Sequence, residues 1–142
     1  MLKLDDIHVH YGTVAAVKGV SFEVEENEVV TLIGANGAGK TTTLAAMTGL
    51  HQPSSGSITF EGERIDTLAP EQINARGIAM VPEGRRVFPQ MTVLENMEMG
   101  AYLRSESKEM AQNLELVFSH FPRLKERVDQ HAGTMSGGEQ QM

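Results

Sequence analysis

Residues Gly34-Ala35-Asn36-Gly37-Ala38-Gly39-Lys40-Thr41 match the pattern G-x-x-x-x-G-K-[ST] in full, between an apolar run and a helical pattern. No other stretch constrains the fold as strongly. Before it, Val29-Val30-Thr31-Leu32-Ile33 is a continuous apolar run that predicts a central strand buried on both faces. After it, Leu44, Met47 and Leu50 recur at helical spacing and predict a helix from about Lys40 to Gly49, which His51-Gln52-Pro53-Ser54-Ser55-Gly56 breaks. Strand, glycine-rich turn and helix start together form a phosphate cradle. The glycines let successive backbone N–H groups point inward at the α- and β-phosphates of a nucleotide, and the helix N-terminus adds its dipole. Lys40 supplies a point charge for the β- and γ-phosphates. Thr41, with Thr42 beside it, places a hydroxyl on Mg²⁺, an ion that keeps several waters and takes few protein ligands. This loop by itself leaves kinases, GTPases and ATPases open.

Composition narrows the setting. The chain has 142 residues, 40% hydrophobic and 22% charged, as in a globular domain able to bury a core without disulfides. With no Cys, a disulfide scaffold and a cysteine-based zinc or redox site are excluded. Twelve basic against 19 acidic residues give a net charge of −7, which argues against direct nucleic-acid binding because a phosphate backbone needs a basic face. No secretion signal is expected in Met1-Leu2-Lys3-Leu4-Asp5-Asp6, and the apolar runs are too short for a membrane helix, so membrane association is expected only through a partner.

Further elements follow from pattern. Ile7 to Tyr11 and Val14 to Val24, rich in β-branched residues around Gly12, predict a pair of early strands. Ser57 to Phe60 and Ile78 to Val81 read as further strands, and Pro70 and Gly77 bracket a short helix. Thr92 with Glu95 is a capping box, so a helix begins there. Met110, Leu114, Val117, Phe118 and Phe121 form one apolar stripe that Pro122 terminates. Strands mixed with helices in this order favour an α/β core with a helical insertion. The mixed charges from Arg104 to Asp129 read as a solvated helical face, His8 and His10 as strand residues without a third metal ligand, and the nine methionines chiefly as core fillers.

At the C-terminal end stands Thr134-Met135-Ser136-Gly137-Gly138-Glu139-Gln140-Gln141-Met142. Ser136 and Glu139 make a second capping pattern, and the two glycines leave backbone N–H groups bare. With the phosphate loop upstream, this resembles the signature of ABC-type ATPases, usually written LSGGQ and here MSGGE. Val81-Pro82-Glu83-Gly84-Arg85-Arg86-Val87-Phe88-Pro89, Met91-Thr92-Val93-Leu94-Glu95-Asn96 and Ala132 to Gln141 resemble the ATP-binding subunits of bacterial branched-chain amino acid importers. The resemblance runs along the whole chain without covering the whole family domain.

The resemblance implies an α/β P-loop NTPase fold of ABC type, with early antiparallel strands and a helical subdomain, truncated after the signature. It implies a partial ATP-binding core over 1–82, a Q-loop region and helical subdomain over 83–135, and the start of a signature helix over 136–142. ATP with Mg²⁺ is the implied ligand, held by Tyr11 stacking on adenine and by Gly34 to Thr42. Glu83 stands where the family has the Q-loop Gln; a carboxylate can ligate Mg²⁺, but when ionised it cannot donate a hydrogen bond. Ser136, Gly137, Gly138, Glu139 and Gln140 are the implied contacts to ATP on the opposite subunit of a head-to-tail dimer. The implied partners are that second ATPase subunit, integral-membrane permease subunits docking at the helical subdomain with Arg85 and Arg86 just before it, and indirectly a substrate-binding protein outside the membrane. The place implied is the cytoplasmic face of the bacterial inner membrane, peripherally.

The family continues past its signature into an apolar strand ending in Asp-Glu, whose Glu polarises the attacking water, and a later switch His. Neither is assignable here, and His120 and His131 precede the signature. The expectation is therefore a chain whose signature frays, whose central edge is unpaired, and which alone binds nucleotide weakly and aggregates. Two other readings stay open: an ABC ATPase outside transport, and a catalytically silent polypeptide that binds only nucleotide or partner subunits.

Overall fold

The computed structural model describes residues 1–103 and 107–142, so Arg104 and Glu106 of the mixed-charge run lie outside the described residues. They divide into two units, Met1–Met80 and Val81–Met142. In the first, β1 (Leu2–Tyr11) and β2 (Val14–Val24) pair antiparallel around a turn in which Gly12 has φ 58°. After the glycine-rich loop come α1 (Lys40–Met47), β3 (Ser55–Phe60), β4 (Glu63–Arg64) and α2 (Pro70–Ala75). The sheet is four-stranded and antiparallel in the order β2-β1-β3-β4.

β1 starts earlier than its β-branched stretch predicts, and a bulge explains why the alternation is hard to read. Leu2 and Leu4 face the core, then Asp5 and Asp6 are both exposed, and Ile7 and Val9 face the core again. Pairing jumps from Leu4↔Phe22 to Ile7↔Val20, leaving two residues of β1 opposite Ser21 alone. Asp6 takes φ 48°, a conformation an Asp tolerates, and its N–H donates to Ser21 Oγ at 2.9 Å. The extra residue shifts the inward phase from even to odd positions, which keeps both halves of β1 on one core. That core gathers Leu2, Leu4, Ile7, Val9, Val17, Ala46, Ile58, Ile65 and Ile73, so α1 and α2 cover the same sheet face.

Two expected strands do not form. Val29 to Ile33 and Ile78 to Val81 have no strand pairing among the described residues, and Val29, Ile33 and Val81 are 91%, 93% and 78% exposed. Their composition states a preference for burial, but a strand exists only where a neighbour supplies a ladder. The four-stranded antiparallel sheet forms without them.

The second unit holds α3 (Val93–Gly100), α4 (Ser107–His120) and α5 (Pro122–Glu126). Thr92 caps α3 reciprocally: Glu95 N–H donates to Thr92 Oγ1 at 3.2 Å, and Thr92 N–H donates to Glu95 Oε2 at 2.7 Å. Those bonds to the ionised form hold the Glu95 carboxyl below its usual range. Val93, Leu124 and Met135 form the core, flanked by Met97, Val117 and Phe118. Of the α4 stripe, Val117 and Phe118 pack on this core while Phe121 is exposed, and Pro122, which ends the stripe, also opens α5.

In the first unit a buried carboxylate pairs with a largely exposed arginine. Asp66, with its side chain 6% exposed, accepts from Ile58 N–H and Arg64 Nε through Oδ1 and from Arg64 Nη2 through Oδ2 at 2.6 Å. Burial pushes its carboxyl up, and the hydrogen bonds from Arg64 and the Ile58 amide outweigh that to hold it below the ordinary aspartate value of 3.8. A lowered folded-state pKa means that the stabilisation is complete above pH about 4 and drains away as pH falls through the native value. Asp66→Asn is expected to cost about 1–3 kcal/mol at neutral pH and to flatten the acid limb of the stability profile, checked by urea unfolding between pH about 2 and 7.

Candidate functional site: a glycine-rich loop and a capped terminal turn

Gly34 to Gly39 curl into the N-terminus of α1. An added Cβ on Gly34 would lie 3.1 Å from Ala38 Cβ, and Ala38 N–H donates to Ala35 O at 3.1 Å, so the turn is tight. Gly37 and Gly39 take φ 83° and 90°. At Gly39 two constraints coincide. It is the N-cap of α1 in the left-handed conformation, and a Cβ there would come within 2.6 Å of the Ala16 carbonyl of β2. Only glycine lets the loop rest on the sheet at that point.

Lys40 reaches back over the loop, its Nζ donating to Gly34 O at 2.8 Å and Ala35 O at 2.9 Å. The ammonium therefore closes the ring of backbone and stands at its mouth, while the first N–H groups of α1 have no intrahelical partner. Thr43 is buried and its Oγ1 donates to Gly39 O at 2.9 Å, whereas Thr41 is exposed and Thr42 half-buried. A ring of amides, one ammonium and one hydroxyl suits a polyphosphate, and the Thr41 hydroxyl suits an ion such as Mg²⁺ that would draw its other ligands from phosphate and water. Tyr11 ends β1 in the same unit and is 46% exposed. His8 and His10 take separate partners, His8 Nε2 with Asp6 Oδ1 at 3.2 Å and His10 Nδ1 with Ser54 Oγ at 2.8 Å.

In the second unit Ser136 to Gln141 form a capped turn rather than the start of an α-helix. Ser136 N–H donates to Glu139 Oε2 at 2.9 Å and Glu139 N–H to Ser136 Oγ at 3.4 Å, nucleating a 3-10 turn over Glu139–Gln141. These bonds, with Arg127 nearby, hold the Glu139 carboxyl below its usual range. Gln140 Nε2 anchors the turn on Ala132 O at 2.8 Å, and Ala132 N–H in turn donates to Met91 O beside the α3 cap. Glu83 is exposed. Arg85, with φ 50°, lays its guanidinium flat on Gly137, where a Cβ would overlap it. No sequence signal marks that contact, because it joins residues far apart in the chain. The same unit has an open apolar groove of about 710 Å³ lined by Phe88, Met97, Met99, Met110, Leu114 and Met135 among others. Five methionines thus line a groove if Met142 is counted, beyond the core-filling role expected of them.

Residues 17–142 match the profile of the ABC transporter family. The chain belongs to that family. The high-affinity branched-chain amino acid transport ATP-binding protein BraG of Pseudomonas aeruginosa is 51% identical over all of this chain and 60% of its own length. The probable branched-chain amino acid transport ATP-binding protein LivF of Archaeoglobus fulgidus is 32% identical with the same coverage. Among solved structures, the ATP-binding subunit of an ABC transporter is 30% identical, with a TM-score of 0.87 over 99% of this chain and 58% of that one. The fold is therefore that of an ABC ATPase cassette, and the chain spans about 60% of the length of these three relatives. Among the described residues no helix is long and apolar enough to cross a membrane.

The left-handed seat of Gly39 makes a sharp prediction. Gly39→Ala is expected to cost about 2 kcal/mol or more, since both the backbone conformation and the Ala16 carbonyl resist the new methyl. A urea unfolding midpoint within error of the parent would show that the loop does not depend on this contact.

Proposed function

We propose that this sequence forms the ATP-binding part of an ATPase subunit that energises uptake of branched-chain amino acids through an ABC importer. The observation that carries it is the Gly34–Thr41 loop, curled at the start of α1 and closed by Lys40 on the Gly34 and Ala35 carbonyls. The substrate class is supported by the 51% identity to BraG. In this reading ATP lays its phosphates in the loop, Lys40 releases the carbonyls to face the β- and γ-phosphates, and Tyr11 stacks on the base. Thr41 holds Mg²⁺, which when bound neutralises charge on the phosphate oxygens. These residues bind and position the nucleotide and stabilise charge that develops on the γ-phosphoryl group.

Further assignments are part of the same proposal. Ser136, Gly137, Gly138, Glu139 and Gln140 face ATP on a second subunit in a head-to-tail dimer, Glu83 contacts Mg²⁺, and permease subunits seat in the methionine-lined groove. A substrate-binding protein outside the membrane would choose the amino acid, and the subunit would work at the cytoplasmic face of the inner membrane. The water-polarising Glu is not among these residues.

Lys40→Ala in the full gene product is expected to reduce MgATP binding and phosphate release by about 10²-fold or more while leaving the unfolding midpoint nearly unchanged. Loss of branched-chain amino acid uptake in cells carrying only that variant tests the transport assignment, and undiminished uptake would overturn it. For residues 1–142 alone, the exposure of Val29, Ile33 and Val81 supports self-association and weak binding. Light scattering and titration check this, and a monodisperse monomer with tight MgATP binding would contradict it.

A further inference from the structure

His51 enters the sequence as part of a helix-breaking stretch, yet the fold brings it to Tyr11. The two rings meet edge to face, with centroids 4.8 Å apart and planes at 87°. The segment carrying His51 is tied at both ends. Its own N–H donates to Ala45 O of α1 at 3.2 Å, and three residues later Ser54 N–H donates to His8 O at 2.7 Å. Ser54 Oγ also donates to His8 O at 3.0 Å, so its lone pairs are left to accept from His10 Nδ1–H at 2.8 Å. This stitching fixes the position of residue 51 against the end of β1 and against the helix that the Lys40 loop opens.

We propose that His51 is a positioning residue for Tyr11, setting the ring of Tyr11 at a fixed place relative to the Gly34–Thr41 loop so that it receives the aromatic base of a nucleoside triphosphate. The inference rests on the reading of Tyr11 as the base platform. An exposed tyrosine at a strand end samples several rotamers, and a ligand that stacks on it must first hold it in one. The imidazole already limits those rotamers while 46% of Tyr11 remains exposed for the stack. Because His51 N–H is bonded to Ala45 O of α1, its ring contact links Tyr11 to the helix that the phosphate loop opens. His51 itself touches neither base nor phosphate in this account.

The test uses the full gene product and two probes, MgATP and magnesium tripolyphosphate, which share the phosphates and differ in the base. His51→Leu keeps volume without a ring and is expected to weaken MgATP about three- to tenfold while leaving tripolyphosphate unchanged, and His51→Phe is expected to restore MgATP binding. The proposal is overturned if His51→Leu binds MgATP like the parent, if both probes weaken alike, or if His51→Phe is as weak as His51→Leu. Tyr11→Ala separates the two readings. If it too spares MgATP, the base-platform reading falls and takes the inference with it; if it weakens MgATP selectively while His51→Leu does not, only the role of His51 falls.

Discussion

The first unit is organised by the contact of Gly39 with the carbonyl of Ala16. A backbone amide ring can be presented to solvent only if something fixes the chain on either side of it, and here the fixing surface is the β1–β2 ribbon. Gly39 rests on β2 without a side chain, the buried face of α1 through Thr43, Ala45 and Ala46 packs behind it, and Ile73 of α2 completes the core. The loop needs no packing of its own. It inherits its position from residues on either side that are buried for ordinary hydrophobic reasons.

How much of this was legible in the sequence follows from the range of each interaction. The reciprocal cap of Thr92 and Glu95, the packing of Val117 and Phe118 from α4 and the β1–β2 pair are visible because their causes lie within a few residues. The loop and its helix are visible for the same reason. Val29 to Ile33 misled because its apolar run reports a burial preference, whereas strand formation depends on a neighbour elsewhere. The start of β1 was hidden by Asp5 and Asp6, whose bulge reverses the alternation on which strand recognition relies. His51 over Tyr11 and Arg85 over Gly137 had no local trace, since each joins segments that meet only after folding.

The same distinction bears on the departures from the family pattern. A glutamate within a surface proposed to face phosphate looks unfavourable, because like charges repel in proportion to how openly they confront one another. The structure turns that carboxylate away. Oε2 of Glu139 accepts the Ser136 amide and Oε1 lies 3.4 Å from Arg127 Nε, so both oxygens are occupied within the second unit. The turn leaves Ser136 and Gly138 exposed, Gly137 is half-buried under the guanidinium of Arg85, and no carboxylate among the described residues pairs with Arg85. At Gly137 the adjoining charged group is thus the Arg85 guanidinium, while the Glu139 carboxylate is engaged by Ser136 and Arg127. A sequence count of charges at MSGGE registers only Glu139, because it records which residues are present in that stretch and not which partners their charges take or which distant cation folds against them.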